Sequence, residues 1–422
     1  MTNDTVVDIT AKDSLEFSPT NTVVRDRNGS SLGAYFNVIC VVAGTGTLQL
    51  PLTLEQGGWA SIFLMMICGT IAVYTGNLLI KCLYYNGRSR LPDYPSVGYA
   101  AYGRFGQNFI RFFHYTILLG ASCIYIILAG VNLHDLLLRA GVNLDPKIWI
   151  LISAVIVWIP FVALKSLKEF VWLSVFGVLT TFIVIMVAVV EGFLDLPNQQ
   201  ENTHQFIVPS GIPIALTSIA FSFGGNAIYP HVEVAMKNRH SWNKTLALSI
   251  FTIFLMYLLV SVSGYYVYGN TTLSPIYANL PQGAATIVAI AMITVHVVLA
   301  APLNLISFSN EIEIIWNIND TCYTPLKAFA LRFVLRSFIM VLLTVVGVFL
   351  PYFGPLMSLI GGLGYPIILF LAPIALYLKL FGVRSMGWPE RIWCLFITFI
   401  AIIGLVLGTK DAIIQLIKIK NQ

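Results

Sequence analysis

The chain has 422 residues, 57% hydrophobic and only 10% charged, with a mean hydropathy of +0.82. Soluble domains carry about a quarter charged residues, so lipid is the solvent here and a sizeable soluble domain is excluded. The net charge of +5 comes without a basic patch set in a soluble fold, which excludes nucleic acid as a partner.

Residues 1–33 form a polar tail of mixed charge, expected to be disordered and cytoplasmic. It lacks the basic start, apolar core and cleavage site of a signal peptide. Apolar runs long enough to span then recur at 34–55, 58–85, 108–137, 148–164, 170–193, 211–236, 245–268, 284–310, 328–350, 354–380 and 389–408, each bounded by Gly, Pro or charge. The expected fold is therefore all-α and polytopic, one transmembrane domain of eleven helices over 34–408 with a short outer tail at 409–422. With the N-terminus inside, 19 of the 24 Lys and Arg residues fall on the inner side and 5 outside, which orients the N-terminus to the cytoplasm. Asn270-Thr271-Thr272 is then an outer or lumenal glycosylation acceptor, while Asn243-Lys244-Thr245 lies inside and should be silent.

The first run is interrupted: "VVAGTGTLQLPLTLEQGGW" (41–59) carries Gly44, Thr45, Gly46 and Pro51 where an unbroken helix belongs. The sixth run is interrupted in the same way, since "SIAFSFGGNAIYPHVEVAMK" (218–237) places Gly224, Gly225 and Asn226 in mid-span. Gly46 precedes Pro51 by five residues and Gly225 precedes Pro230 by five. Gly in a membrane helix often serves only close packing, but two matched breaks five helices apart are what an inverted repeat leaves in a sequence. Repeat one covers about 34–193 and repeat two about 211–380, with helix eleven (389–408) added.

Unwound backbone in lipid leaves N–H and C=O groups without partners, at several kcal/mol each, unless a ligand meets them. The half-helix that restarts near Thr47 offers free N–H groups and a positive dipole end to a carboxylate. The carbonyls of Ala43, Gly44, Ser222 and Phe223 suit an ammonium group. A substrate with both ends is an amino acid. Phe221, Phe223, Tyr229 and Tyr125 are candidates for its side-chain pocket and favour neutral or aromatic substrates, although such aromatics also serve packing.

Together with "HVVLAAPLNLISFSNEIE" (296–313) and "GGLGYPIILFLAPIALYL" (361–378), the two interrupted stretches resemble the amino acid/auxin permease family of eukaryotic transporters. The similarity covers the chain from Ala34 onward. It implies the five-plus-five inverted repeat with an eleventh helix, and amino acid transport driven by a proton or sodium gradient. The span-six stretch is most similar to the vacuolar and vesicular branch; vacuolar, endomembrane and plasma membranes all stay open.

Ionisable residues inside a membrane are functional candidates. His296 lies about 12 residues into span eight, roughly 18 Å deep. It is placed to carry the coupling proton or to donate to substrate, or else to serve as a neutral hydrogen-bonded histidine between helices. His231 and Glu233 follow the second break and are candidates to titrate, gate or snorkel at the inner interface. Glu55, Glu311, Glu313, Glu191 and Asp135 read as solvated helix ends. Sodium would need converging oxygens from Thr45, Asn304 or Ser307; with no carboxylate near the break, a proton is the favoured coupling ion, without cofactor or bound metal.

A polar catalytic cluster is missing from the sequence, so an enzyme is not expected. Two alternatives to a proton-coupled carrier remain: a sodium-coupled one, and an amino acid sensor built on the same fold. The six cysteines form no CxxC pair and suggest neither a metal site nor a disulfide framework.

Overall fold

A computed structural model describes residues 29–87, 89–139, 141–163, 171–199, 202–318 and 323–420. The polar tail up to residue 28 lies outside these residues, as do Arg88, Lys165, Lys168 and Cys322. Helix α1 (Ser31–Val42) is capped by Ser30, whose hydroxyl accepts from the Gly33 amide at 3.0 Å. Helical geometry lapses at Ala43 and Gly44, a tight 3-10 turn covers Thr45–Gln49, and α2 (Leu50–Gly57) carries Pro51 in its first turn. Proline is tolerated there because the first-turn amide has no intrahelical acceptor. The two halves meet at 42°.

Helices α3 (Ser61–Leu83), α4 (Tyr94–Arg139), α5 (Pro146–Ala163) and α6 (Val171–Asp195) follow. Then α7 (Ile212–Ser222) stops at the second Gly pair, and residues 223–228 are non-helical. α8 (Tyr229–Ala235) restarts with Pro230 in its first turn. The remainder comprises α9 (Trp242–Tyr268), α10 (Ala284–Ile315), α11 (Pro325–Phe349), α12 (Phe353–Leu363), α13 (Ala372–Phe381), α14 (Trp388–Ile403) and α15 (Thr409–Lys420).

Among the described residues the regular elements are all helical. Nine are long and apolar enough to cross a membrane, or ten if the bent pair in the first run counts as one. Two boundaries differ from those expected. The third run begins at Tyr94 rather than 108, because Asp93 accepts from the Ser96 amide at 2.8 Å and starts a helical stretch whose charged Arg104 and Arg111 mask it in hydropathy. That helix is interrupted at Tyr102 and at Gly103, where φ is +62°. The expected tail at 409–422 is helical through Lys420, with Asp411 in the first turn of α15 and Lys418 in its last, both favourable to the helix dipole.

Helix α10 packs between α4 and α6, α9 lies against α1, α2 and α3, and α12 lies against α7. Large apolar side chains such as Phe105, Phe112, Phe338 and Leu395 point outward. Helices in lipid gain little from burying such groups against each other, so close packing and polar satisfaction hold them together. The link between α12 and α13 illustrates this. It widens into a π turn over Pro366–Leu371. Pro373 lacks the N–H that Leu369 O would accept in α register and Ile368 O in π register. The Tyr94 hydroxyl donates to Ile368 O at 2.9 Å, and the Asn226 amide donates to Leu369 O at 3.2 Å. Both orphaned carbonyls are thereby met, and the second break is tied to the tenth run.

Candidate functional site

The two breaks face each other. Tyr257 of α9 shares its one hydroxyl hydrogen between Val42 O at 2.7 Å and Ser222 O at 2.6 Å, the last helical carbonyls before each break. The backbones approach so closely that a Cβ on Gly46 would lie 2.6 Å from Ser222 Oγ and 2.9 Å from its Cα. Glycine is required there for space. A Cβ on Gly224 would likewise enter the Tyr365 ring, at 1.7 Å.

Between the breaks lies a cavity of ≈ 30 Å³, room for about two water molecules. Of the residues expected at a substrate site, Gly44, Thr45, Gly46 and Gly224 border it, as do the coupling candidate Asn304 and the pocket candidates Phe221 and Tyr125. Tyr365, Ile117 and Ala227 also border it and escaped sequence reasoning. Ala43, Thr47, Ser222, Phe223, Gly225 and Asn226 adjoin the breaks without lining the cavity. Phe223 packs edge-on against Tyr257 at 5.2 Å and Tyr229 against Trp242 at 5.6 Å. Asn226 points away, to Leu369 O and Thr75. Ser307 donates back to Leu303 O at 2.9 Å.

His296 is buried beside the first break. Its Nδ1 stands 3.1 Å from Gly177 O, so Nδ1 carries the hydrogen and Nε2 is left as an acceptor. Nε2 has no protein partner and lies against the Gly44 backbone, 3.6 Å from where a Cβ would sit. A second small cavity, ≈ 10 Å³, adjoins the ring between Cys40, Gly177 and Leu299.

Polar contacts close both ends of this centre. On the α2 side, Gln49 Nε2 donates to Ser218 Oγ at 2.9 Å and to Ser358 Oγ at 3.2 Å, joining the first break to α7 and α12. On the side where α1 begins, Glu233 of α8 does not snorkel. It is fully buried and clamped by Arg90 Nε at 2.8 Å and the Tyr84 hydroxyl at 2.7 Å. Arg90 also donates to Pro230 O at 2.5 Å, and Gly29 pairs with the end of α8 through Gly29 N to Ala235 O at 3.0 Å. Burial and the adjoining Glu233 carboxylate raise the Tyr84 phenol above its ordinary pKa. His231 sits half-buried on the same short helix.

Two further carboxylates expected to be solvated are buried. Glu313 pairs with Arg336 at 3.0 Å and Arg332 at 3.4 Å, while Arg336 donates to Phe161 O at 2.7 Å. Glu311 faces His114 of α4. A carboxylate at a membrane helix end is buried when a neighbouring helix supplies the counter-charge, which no run of local sequence reveals.

The family described as transmembrane amino acid transporter protein matches residues 27–414. Amino acid transporter AVT1I of Arabidopsis thaliana is 30% identical over 404 residues, covering 93% of this chain and 98% of its own length. Amino acid transporter AVT1B of the same plant is 28% identical, covering 93% and 73%. Among solved structures, a Na+-coupled sialic acid symporter in a substrate-bound outward-open state superposes with a TM-score of 0.57 at 12% identity, over 92% of this chain and 90% of its own. The Eremococcus coleocola manganese transporter bound to an aromatic bis-isothiourea compound gives 0.59 at 13%, over 91% and 87%. At those identities the likeness is one of fold.

Proposed function

Because the chain belongs to the transmembrane amino acid transporter family, we propose that it is a proton-coupled secondary transporter of neutral amino acids that works by alternating access around the two breaks. It is an integral multi-pass membrane protein. In this proposal each broken run crosses once, which makes eleven spans in a five-plus-five inverted repeat with the last span appended. The matched positions of Pro51 and Pro230, each in the first turn of a resumed half-helix, support that arrangement.

The observation that carries the function is the meeting of both breaks at one cavity bordered by Gly44, Thr45, Gly46 and Gly224. The first amides of the Thr45–Gln49 turn, at the head of the second half-helix, are the natural partners of a substrate carboxylate. His296 Nε2, held as an acceptor by the bond to Gly177 O, is the natural partner of its ammonium group. Phe221, Tyr125 and Tyr365, with no charged side chain among the described lining residues, favour an uncharged substrate side chain. A cavity this small must widen to admit an amino acid, and the Gln49 and Glu233 clusters are the contacts that part on either side as it does.

Uptake of radiolabelled amino acids into proteoliposomes, with and without a pH gradient and with and without sodium, tests the proposal. Accumulation of a neutral subset driven by the pH gradient is the expected result. Saturable binding without accumulation under any gradient would refute a transport function.

A further inference from the structure

Beside the second break, away from the substrate's proposed contacts, lies a buried histidine and carboxylate pair. The side chains of His114 and Glu311 are 1% and 9% exposed. His114 Nε2 stands 3.1 Å from the carbonyl of Ala227, in the non-helical stretch between α7 and α8 that borders the cavity. A carbonyl only accepts, so Nε2 carries the hydrogen, and in a neutral imidazole Nδ1 is then a bare acceptor. It faces Glu311 Oε1 at 3.6 Å, and neither atom has a hydrogen-bond partner. Two acceptors opposed out of water repel, whereas one proton between them turns one into a donor.

The other titratable and charged groups around the pair are Asp93, Tyr94, Arg111 and Tyr115. Asp93 is occupied by the amide and hydroxyl of Ser96, and Tyr94 by Ile368 O. Tyr115 and Arg111 lie on the Glu311 side.

We propose that His114 and Glu311 together hold the coupling proton. The pair takes up one proton when substrate binds, so that a single N–H or O–H lies between Nδ1 and Oε1, and releases it when substrate leaves. Loss of that proton opposes two acceptors and drives the imidazole from Glu311 toward Ala227 O, which links protonation to the geometry of the second break. The inference rests on the proton-coupled reading above and assigns the proton a residence apart from His296, whose bare Nε2 is turned to the first break and given there to the substrate's ammonium group.

The test uses the full chain in proteoliposomes and the ratio of neutral amino acid uptake with a pH gradient to uptake without one. A ratio of about ten or more is expected for the parent, and below about two for Glu311→Gln and for His114→Gln, which keeps an N–H donor for Ala227. A parent that ignores the gradient overturns the proton-coupled reading and this inference with it. A parent that responds, with variants that respond equally, overturns the pair alone. Where a variant transports too slowly to yield a ratio, amino acid affinity of the purified protein is followed against pH. Dependence in the parent and a flat profile in the variant support the pair, and equal dependence in both overturns it.

Discussion

Gly46 and Ser222 leave no room between them, and that contact is the sharpest handle on the site. A side chain at position 46 must push the breaks apart, since its Cβ would meet Ser222 Cα at 2.9 Å. Overpacking of this kind costs about 1–3 kcal/mol, so Gly46→Leu should reduce uptake about five-fold or more at equal protein in the membrane. Adding Ser222→Gly should recover little, because the backbone contact persists; normal uptake by Gly46→Leu would rule out a site at the breaks. Gly44, Gly46 and Gly224 were legible because they interrupt apolar periodicity. Tyr257 and Tyr365 were not, because an aromatic residue in a membrane helix is ordinarily packing or belt. Asn226 drew attention for its place in the break, yet its amide serves Leu369 O, an acceptor 143 residues away that Pro373 frees.

Between elements, that same bond predicts non-additivity. Asn226→Ala should lower stability by about 1–3 kcal/mol by leaving Leu369 O bare. In a Pro373→Ala background the restored N–H can take over, so the penalty should shrink, and thermal unfolding of the four proteins reads the cycle. Equal penalties in both backgrounds would show that Asn226 acts elsewhere. The clamp on α8 belongs to this scale too. Arg90→Ala leaves Glu233 buried without its counter-charge, held by the Tyr84 hydroxyl alone among its described partners, which costs about 3–5 kcal/mol in the closed arrangement and favours its opening. Cavity-bordering Ala227→Cys should then react faster with an impermeant thiol reagent applied from the α8 side, measured against Ala227→Cys with Arg90 intact, both carrying Cys322→Ser; the five described native cysteines are buried. An unchanged rate would mean that Arg90 and Glu233 brace the fold without gating it. Element boundaries were read well where hydropathy alone decides them. They were misjudged at Tyr94 and past 408, where a capping aspartate and favourable terminal charges extend helices into polar sequence.

For the molecule as a whole, the surplus of Lys and Arg on alternate loops predicts that Asn270 faces away from the cytoplasm. Asn270 is exposed at the end of α9, so production in a eukaryotic cell should give a glycosidase-sensitive form that Asn270→Gln abolishes; modification at Asn243 instead would reverse the orientation. Residence in a membrane, the two interruptions and kinship with amino acid transporters were all settled by sequence. Each depends on contiguous residues: apolar length, Gly and Pro at fixed spacing, and motifs long enough to identify a family. Only the tertiary structure decided that the breaks meet at one small cavity closed on both sides. It alone paired Glu233 with Arg90, Glu313 with Arg336 and Glu311 with His114. In lipid a buried polar group must find its partner on another segment, and which segment comes within 3–4 Å depends on how the helices pack and not on what lies beside it in the chain.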